Sequence, residues 1–487
     1  DVGETFEAPE AVMTYSDKGF NAMSRNMHDF VRKHIVRGQW QYKERPVLLN
    51  SWEAAYFDIS ERKLYELARA GHDVGIELFV MDDGWFGNRD DDSSSLGDWY
   101  VNKKKLPNGL KGICDKINAL GMSFGIWVEP EMLNVNSDLY RLHPDWAMDI
   151  PGCAHSEGRN QRILDLCNPE VSEYIIDSMT KVFSSANIAY VKWDMNRIFS
   201  DYYSKYLKAQ GRPQGETAHR YVMALGRIMR TLTERFPHIL FEGCAAGGNR
   251  FDLGILCYFP QIWASDNTDA VSRAYIQEGL SYGYPMSTVS AHVSACPNHQ
   301  TLRVTPLSTR FNVAAFGICG YECNLVDMSR AEKSEIKTQI DIYKKWRHAM
   351  QFGCFYRQRT GNIHQWTVVD EEAGRAVGLI MQELVRANTQ NEEYYAAGLD
   401  PEAVYSFYNR PLKHNVKEFG DLINTVAPIH IRQGSLLHGM VAKFVTMPGE
   451  TEKYELSGSM LMNCGVRLKQ AFAATGFSEE VRHFPDF

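Results

Sequence analysis

The stretch "IELFVMDDGW", residues 76–85, predicts a buried strand, because its short apolar run ends in two carboxylates, Asp82 and Asp83. A segment of helical period follows at 108–121, "NGLKGICDKINALG", in which apolar residues recur at steps of three and four. A second apolar run, "MSFGIWVEPEM" at 122–132, comes directly after it. This order of strand, helix and strand is typical of a parallel sheet.

The same alternation continues on both sides of this unit. Seven apolar runs with polar ends are strand candidates: "RPVLLNSW" (45–52), 76–85, 122–132, "RILDLC" (162–167), "AYVKWDMN" (189–196), "HILFEGCAAGG" (238–248) and "QIWASDNTDA" (261–270). An eighth is either "PMSTVSAHV" (285–293) or "AAFGICGYECNLV" (314–326). Eight strands over roughly 300 residues predict an α/β protein with a (β/α)8 TIM barrel.

The pattern of apolar and polar residues changes after a long helical segment at 329–350. Runs such as "IHQWTVVDE" then alternate with turn residues, which predicts a C-terminal antiparallel β-sandwich domain. We therefore expect an N-terminal helical connecting segment at 1–44, a catalytic barrel at 45–350 and the β domain at 351–487.

Composition narrows the kinds of partner and compartment. The 487 residues are 44% hydrophobic and 23% charged, which is typical of a soluble globular protein with a large core. A net charge of -8 gives no electrostatic footprint for nucleic acid, and no apolar run approaches the ~20 residues that cross a membrane. The ten cysteines occur singly, without zinc-ligand spacing, which favours a reducing compartment and a cytoplasmic location.

Side chains that could bind a ligand or take part in catalysis cluster at the predicted strand ends. Because barrel enzymes build their sites on that face, these side chains are expected to surround one cavity. They are Trp52, Asp82, Asp83, Trp127, Glu129, Asp165, Lys192, Asp194, Glu242, Cys244 and Asp266. Such a cavity suits a sugar or a divalent metal. For a sugar, carboxylates accept hydrogen bonds from hydroxyls, and indole rings stack on the pyranose.

Glycoside cleavage requires two carboxyl groups, and Asp194 and Asp266 are candidates on separate strands. Lys192, two residues before Asp194 on the same strand, would favour the ionised form of that carboxylate. Other acidic residues have structural interpretations. We expect Glu129 and Glu131 to brace strand ends, while Asp165 and Glu242 hold polar neighbours.

Several long motifs occur together in the order of one known family. They are "DDGWFGNRDD" (82–91), "GIWVEPEM" (125–132), "YVKWDMNR" (190–197), "GGNRFD" (247–252), "PQIWASDNTDA" (260–270) and "HVSACPNHQ" (292–300). From about residue 10 to its C-terminus, the chain resembles family 36 glycoside hydrolases, whose best-known activity is that of an α-galactosidase. The resemblance implies a retaining enzyme that removes terminal α-linked galactose without a metal or an organic cofactor.

The resemblance also implies roles for individual residues. Asp194 matches the nucleophile and Asp266 the general acid/base, with Asp269 in reserve. The matching substrate-binding residues are Asp82 and Asp83 for the C4 and C6 hydroxyls, Lys192 and Arg159 for the C3 and C4 side, Trp127 and Trp52 as apolar walls, and Cys244 with the Gly247 backbone at C2.

Two departures from the family pattern leave alternatives open. Family members usually carry a large β-sandwich domain before the barrel, whereas this chain begins about 40 residues ahead of the first strand candidate. That domain commonly supports assembly, so a homo-oligomer is one expectation. The second departure is "EGCAAGGNRFD" (242–252), which lacks the Ser often found in α-galactosidases. An α-N-acetylgalactosaminidase or α-galactosaminidase is therefore the alternative, and the effect of "YECNL" (321–325) is unassigned.

Two other classes of protein use similar residues. A metal-dependent barrel enzyme would arrange the carboxylates around Mg²⁺ and use the lysine as a base. A sugar-binding protein without catalysis would retain the cavity but lack the paired carboxyl groups. The presence of both Asp194 and Asp266 favours the hydrolase.

Overall fold

The computed structural model describes residues 3, 5–6, 8–156, 158–383, 393–410, 413–425, 427–448 and 451–468. Eight parallel strands in these residues close into a barrel, with neighbours following one another along the chain. The barrel strands, first to eighth, are Leu48–Asn50, Leu78–Met81, Ser123–Val128, Ile188–Trp193, Leu240–Gly243, Gln261–Trp263, Val289–Ser294 and Ile318–Glu322. The predicted (β/α)8 barrel is confirmed.

One predicted barrel strand was assigned wrongly. The run "RILDLC" contributes to Gln161–Ile163, which pairs antiparallel with Met132–Asn134 in a two-stranded ribbon outside the barrel sheet. Between these two strands the chain forms a helix of only five residues, Asp138–Leu142, and one 3-10 turn. The antiparallel pairing rules out a parallel crossover between these two strands, so the ribbon is an insertion after the third barrel strand. Both candidates for the eighth strand are barrel strands.

Helices of amphipathic sequence surround the barrel and bury their apolar faces against it. The predicted helices at 170–186 and 217–236 are present as Pro169–Ser184 and Thr217–Arg235. The Asn168 side chain accepts a hydrogen bond from the Glu170 N–H, which confirms the predicted N-cap. The other helices of the barrel region are Trp52–Ala55, Glu61–Val74, Gly109–Asn118, Lys205–Ala209, Leu253–Leu256, Ala270–Leu280, Leu307–Ala315 and Arg330–Phe352, with 3-10 turns Gln214–Glu216 and Met286–Thr288.

The inside of the barrel changes from apolar to polar along the strands. A small cluster fills its lower part and consists of Leu48, Leu78, Val80, Tyr190 and Leu240. Because strand side chains alternate, the next inward residues toward the carboxyl ends include polar groups, such as Asp82 and Lys192. The apolar layer thus lies beneath a layer of polar side chains at the carboxyl ends of the strands.

Antiparallel sheets follow the barrel, as predicted. A three-stranded sheet consists of Cys354–Thr360, Ile363–Asp370 and Arg375–Gln382. Three strand pairs complete this part: Glu393–Tyr394 with Val466–Arg467, Val404–Tyr408 with Lys453–Ser457, and Lys413–Asn415 with Thr446–Pro448. Its helices are Val416–Thr425, Leu436–Phe444 and Gly458–Asn463. Residues 469–487 of the predicted β domain lie outside the described residues.

The N-terminal part is helical and precedes the first barrel strand. It contains the α-helix Gly19–Phe30, the π-helical turn Val31–Ile35 and the 3-10 turn Gly38–Gln41. The buried His28 side chain contacts the Ser281 carbonyl oxygen at 2.7 Å. Across the described ranges, no helix is long and apolar enough to span a membrane.

Candidate active site

Asp194 follows the fourth barrel strand and accepts hydrogen bonds from both side chains and backbone amides. Its Oδ2 accepts from Trp127 Nε1 at 3.2 Å and from Asn196 Nδ2 at 2.8 Å. Its Oδ1 accepts from the backbone N–H groups of Met195 at 2.8 Å and Ala246 at 3.4 Å. Burial by itself raises the pKa of Asp194, but the Lys192 charge and the hydrogen bonds from the Cys244 thiol, the Asn196 amide and the Met195 N–H outweigh burial and lower it. Asp194 is therefore ionised at neutral pH.

Asp266 follows the sixth barrel strand, and its electrostatic surroundings are opposite to those of Asp194. Its Oδ1 accepts a hydrogen bond of 2.9 Å from Trp263 Nε1. Burial and, next, the negative charge of Asp194 raise the pKa of Asp266 above its usual value. The site thus holds two aspartates whose environments move their pKa values apart, which is the arrangement that separates an acid from a nucleophile.

Lys192 forms its direct ion pair with the second barrel strand. Its Nζ lies 3.1 Å from Asp82 Oδ2, and Asn50 Nδ2 donates to the same oxygen at 2.7 Å. Burial raises the pKa of Asp82, while the charge of Lys192 opposes that rise. Burial disfavours the charged form of Lys192 too, yet Asp82 and the surrounding anionic groups raise the pKa of the lysine. Lys192 therefore stays a cation between several carboxylates.

Asp83 points to a different partner from that of Asp82. Its two oxygens accept from Arg89 Nε at 2.7 Å and Nη2 at 2.8 Å, which is a bidentate pair. The Arg89 side chain is fully buried, and it also donates to Asn134 Oδ1 at 3.1 Å. The pair fixes the orientation of the Asp83 carboxylate.

The segment 244–249 connects the two aspartates. Gly247 has φ +85°, and a Cβ atom there would lie 2.9 Å from Ser265 Cα and 3.0 Å from Asp266 N. Only glycine fits this close approach without displacing the backbone of Asp266. Asn249 Nδ2 donates to the carbonyl oxygens of Ala245 and Ala246, so the Asn249 amide group holds the turn.

The remaining predicted site residues differ in their burial. Cys244 is buried, and burial followed by the Asp194 charge raises the pKa of its thiol, which therefore remains protonated. Trp127 is buried beside Asp194, while Trp52 is half-buried in a four-residue helix. Arg159 is exposed in the turn of the ribbon, with φ +52°, and its charge acts on Glu129. The fold brings Trp127 and Cys244 next to Asp194 and leaves Arg159 at the rim.

Structural roles predicted for the other carboxylates are confirmed by their contacts. Glu131 accepts hydrogen bonds from three side chains, Trp193, Tyr221 and Arg250. Glu129 accepts from Gln161 Nε2 at 3.0 Å and from the Asn196 N–H. Asp165 accepts from Ser204, and Glu242 from Gln261 and Ser290.

Asp269 caps the helix Ala270–Leu280. Its Oδ2 accepts from the Ser272 N–H at 3.1 Å and the Ser272 hydroxyl at 3.0 Å. Its side chain also lies 3.4 Å from Arg303. These contacts favour Asp266 over Asp269 as the proton donor.

Sequence reasoning missed four residues that shape the site. Asn50, Arg89, Asn196 and Trp263 contact the aspartates of the site directly. Strand alternation places Asn50 on the same side as Trp52, and Asn196 follows Asp194 by two residues. The sequence spacing therefore indicated that both asparagines lie near the site. Arg89 carried none, because its pairing depends on how the loop after the second strand folds.

Among the described residues, no group of three or more His, Cys, Asp or Glu side chains is arranged to hold a metal ion. The carboxylates of the site instead pair with Lys192, Arg89, indole N–H groups and backbone amides.

A closed (β/α)8 barrel with two aspartates of opposite pKa shift at its mouth is typical of barrel glycoside hydrolases. Comparison with known proteins agrees with this class. The family model Melibiase matches residues 5–353, and the model of the glycosyl hydrolase family 36 C-terminal domain matches residues 363–484. The chain belongs to the melibiase family, which confirms the resemblance to family 36.

Individual relatives agree with the family. The chain is 50% identical to alpha-galactosidase AgaA of Geobacillus stearothermophilus over 83% of its length and 55% of the relative. It is 46% identical to alpha-galactosidase 1 of Pediococcus pentosaceus, with the same coverage. A solved structure of a variant of the G. stearothermophilus enzyme in complex with raffinose superposes with a TM-score of 0.81, at 43% identity over 93% of this chain and 57% of that one. The chain spans about half the length of the curated relatives it matches.

Proposed function

We propose that this chain carries the catalytic site of a retaining exo-α-galactosidase. Asp194 serves as nucleophile and Asp266 as general acid/base. The observation that supports these roles is the opposite direction of their pKa shifts, in which the charge of Asp194 helps to raise the pKa of Asp266. The similarity to alpha-galactosidases favours galactose as the sugar removed.

In the first step, the ionised Asp194 attacks the anomeric carbon of the bound galactose. At the same time, Asp266 donates its proton to the departing glycosidic oxygen. Oδ1 of Asp266 accepts from Trp263, so Oδ2 is the oxygen assigned to carry the proton. The products are the released alcohol and a glycosyl ester on Asp194.

In the second step, the same residues hydrolyse that ester. Ester formation removes the negative charge of Asp194, so one of the causes that raise the pKa of Asp266 disappears. Asp266 then acts as a base toward water, which attacks the anomeric carbon from the face that the alcohol left. Two displacements retain the anomeric configuration.

Substrate recognition is assigned to the polar side chains around these aspartates. Asp82 and Asp83 accept hydrogen bonds from the C4 and C6 hydroxyls, while Lys192 and Arg159 donate on the C3 and C4 side. The fixed orientation of Asp83 by Arg89 supports this role, because hydroxyl recognition requires a carboxylate held in one geometry. Trp127 and Trp52 form the apolar walls, and Cys244 with the Gly247 backbone lies at C2.

Natural substrates are proposed to be oligosaccharides with a terminal α-galactosyl group. A variant of the relative AgaA is in complex with raffinose, which supports this class of ligand. A homo-oligomer is the proposed assembly, by analogy with the family. An intracellular location is proposed because all ten cysteines are free.

Trapping of the covalent intermediate tests the function and the nucleophile together. The protein is incubated with a 2-deoxy-2-fluoro-α-galactosyl fluoride, digested, and its peptides are mapped by mass spectrometry. We expect one fluorogalactosyl label on Asp194. A label on another residue, or hydrolysis with inverted configuration and no label, would falsify the double displacement through Asp194. Faster hydrolysis of a nitrophenyl α-N-acetylgalactosaminide than of the α-galactoside would instead identify the alternative substrate.

A further inference from the structure

The motif "YECNL", whose role the sequence left unassigned, places a buried carboxylate at the end of the eighth barrel strand. Glu322 is 3% exposed and is the last residue of Ile318–Glu322. Its Oε2 lies 3.0 Å from His292 Nδ1, on the neighbouring strand. It has no place in the proposed two-step reaction, although it lies at the mouth of the barrel.

His292 packs against Trp263, the residue that donates a hydrogen bond to the proposed acid/base. The centroids of the His292 and Trp263 rings are 4.3 Å apart, and Trp263 Nε1 donates to Asp266. The histidine is closely packed, since a Cβ atom on Gly320 would lie 2.6 Å from His292 Cδ2. A ring held this tightly keeps the indole of Trp263 in one position.

Arg273 holds the Asp266 segment from the other side. Its Nη2 donates to the Ser265 carbonyl oxygen at 2.7 Å and its Nε to the Asn267 carbonyl oxygen at 3.0 Å, so it binds the backbone of the residues before and after Asp266. Its Cζ also lies 4.3 Å from the Trp263 ring centroid. Burial lowers the pKa of Arg273 to about 10, and the charge of Glu322 opposes this effect most strongly among its neighbours.

We propose that Glu322 is a positioning residue for Asp266. It anchors His292 against Trp263 and supplies the negative charge that balances the buried Arg273, and these two groups hold the acid/base in place. This inference rests on the proposed function, because positioning of Asp266 matters only if Asp266 transfers the proton.

Other charged groups also act on Glu322. They are His292, Lys192, Arg273, Glu53, Asp82 and Asp266. Burial tends to raise the pKa of Glu322, but the hydrogen bond of His292 and the charges of Lys192, His292 and Arg273 lower it, so Glu322 is ionised.

Glu53 offers a matched control because, of the two neighbouring glutamates Glu53 and Glu322, it is the one that stays protonated. Burial and, next, the charge of Glu322 raise the pKa of Glu53 to about 8. Its oxygens accept from Thr268 Oγ1 at 3.0 Å and from the Ala295 N–H at 3.2 Å. A glutamine is close in shape and charge to this neutral carboxyl group, whereas a glutamine at Glu322 removes a negative charge.

The test compares Glu322→Gln, Glu53→Gln and the double variant in the full chain. The pH dependence of kcat/KM is measured with phenyl and nitrophenyl α-galactosides, and circular dichroism checks folding. For Glu322→Gln we expect a loss of roughly 10- to 100-fold with the phenyl substrate. Its alkaline limb should move to lower pH, because the charge of Glu322 raises the pKa of Asp266. Glu53→Gln should follow the wild type within about twofold. In Glu322→Gln, the pKa of Glu53 falls because the Glu322 charge is gone, so Glu53 can ionise and replace part of that charge. The double variant removes this replacement and should move the alkaline limb further.

Glu322→Asp keeps the charge while shortening the reach to His292, so its alkaline limb should match that of the wild type even if kcat falls. This variant also keeps the inference testable if Glu322→Gln does not fold. The positioning role is overturned if a folded Glu322→Gln keeps the wild-type pH profile, or if Glu322→Asp moves the limb. A wild-type protein that hydrolyses no α-galactoside would overturn the proposed function itself, and the inference with it.

Discussion

Lys192 Nζ lies 3.1 Å from Asp82 Oδ2, so the lysine that precedes Asp194 on its strand forms its ion pair across the barrel mouth. Its charge still acts on Asp194 and is the largest influence that lowers the pKa of that carboxylate. One cation thus serves two functions, because it orients a carboxylate proposed to bind the sugar and keeps the proposed nucleophile ionised.

Lys192→Met should therefore shift the acidic limb of activity. Without the cation, the pKa of Asp194 rises, and a higher pH is needed to ionise the nucleophile. We expect the acidic limb of kcat/KM for nitrophenyl α-galactoside to move to higher pH, together with a rise in KM from the loss of hydroxyl binding. An unchanged acidic limb in a folded variant would show that Lys192 does not set the ionisation of the nucleophile.

Asp266→Ala should separate substrates by their leaving groups. A phenyl or sugar leaving group needs protonation, so its kcat/KM should fall by about 10²- to 10⁴-fold. A dinitrophenyl galactoside needs little protonation and should lose much less in the first step. The rates are measured with a series of aryl α-galactosides. Equal losses across the series would remove Asp266 from the acid role, and the same series with Asp269→Ala tests the reserve candidate.

Gly247→Ala should reduce catalysis through the backbone of Asp266. The added Cβ would approach Ser265 Cα and Asp266 N to about 3 Å, so the acid/base segment must shift. A displacement on the order of 1 Å can cost about 100-fold in kcat/KM. Gly121→Ala is the matched control, since Gly121 also has φ +85° but has open space around its Cβ position. Both variants place an alanine at the same positive φ, so equal activity in the two would contradict the steric explanation.

Arg89→Met should destabilise the fold and weaken sugar binding. It leaves the buried Asp83 carboxylate without its bidentate partner, a change that costs about 3 to 5 kcal/mol in the free energy of unfolding. Urea denaturation measures this loss. The double variant Asp83→Asn/Arg89→Met should recover part of the stability, because no unpaired charge remains, while KM stays high. If the loss of unfolding free energy in the double variant equals the sum of the losses in Asp83→Asn and Arg89→Met, the two side chains are not coupled.

Glu129 predicts a pH dependence of stability. Burial and, next, the Asp194 charge raise the pKa of Glu129 to about 8 from its ordinary value of 4.5. The folded chain therefore holds a proton that the unfolded chain has lost between these pH values, so this contribution to stability is full below pH 4.5 and falls as the pH rises to about 8. Glu129→Gln cannot titrate, and its free energy of unfolding should fall less over this range. Glu372→Gln, at an exposed carboxylate, should follow the wild type.

Much of the fold could be predicted from the sequence because its periodicities are strong. The helices predicted at 170–186 and 217–236 lie within two residues of Pro169–Ser184 and Thr217–Arg235. The predicted apolar runs overlap all eight barrel strands but extend several residues beyond most of them. The ribbon strand Gln161–Ile163 was misplaced, since a short apolar run carries no information about the direction of its partner strand.

The positions of the site residues could be predicted, but their pairings could not. Barrel geometry brings strand ends together whatever their sequence, so the meeting of Asp82, Asp194 and Asp266 follows from their places on the strands. The partners of Lys192 and Asp83 depend on side-chain directions and on a folded loop, which no spacing in the sequence encodes. Glu322 was overlooked for the same reason, because its contacts lie on neighbouring elements.

The ribbon of Met132–Asn134 and Gln161–Ile163 is a single excursion of the chain, which leaves the third barrel strand and returns before the fourth. Its turn presents Arg159 at the rim, whereas Asp194 and Asp266 belong to the barrel itself. Evolution can therefore lengthen, shorten or recharge this turn without moving the groups proposed to break the bond. In such a scaffold, the contact proposed for Arg159 can change independently of the chemistry, whereas the recognition assigned to Asp82, Asp83 and Lys192 stays on the barrel with the two catalytic aspartates.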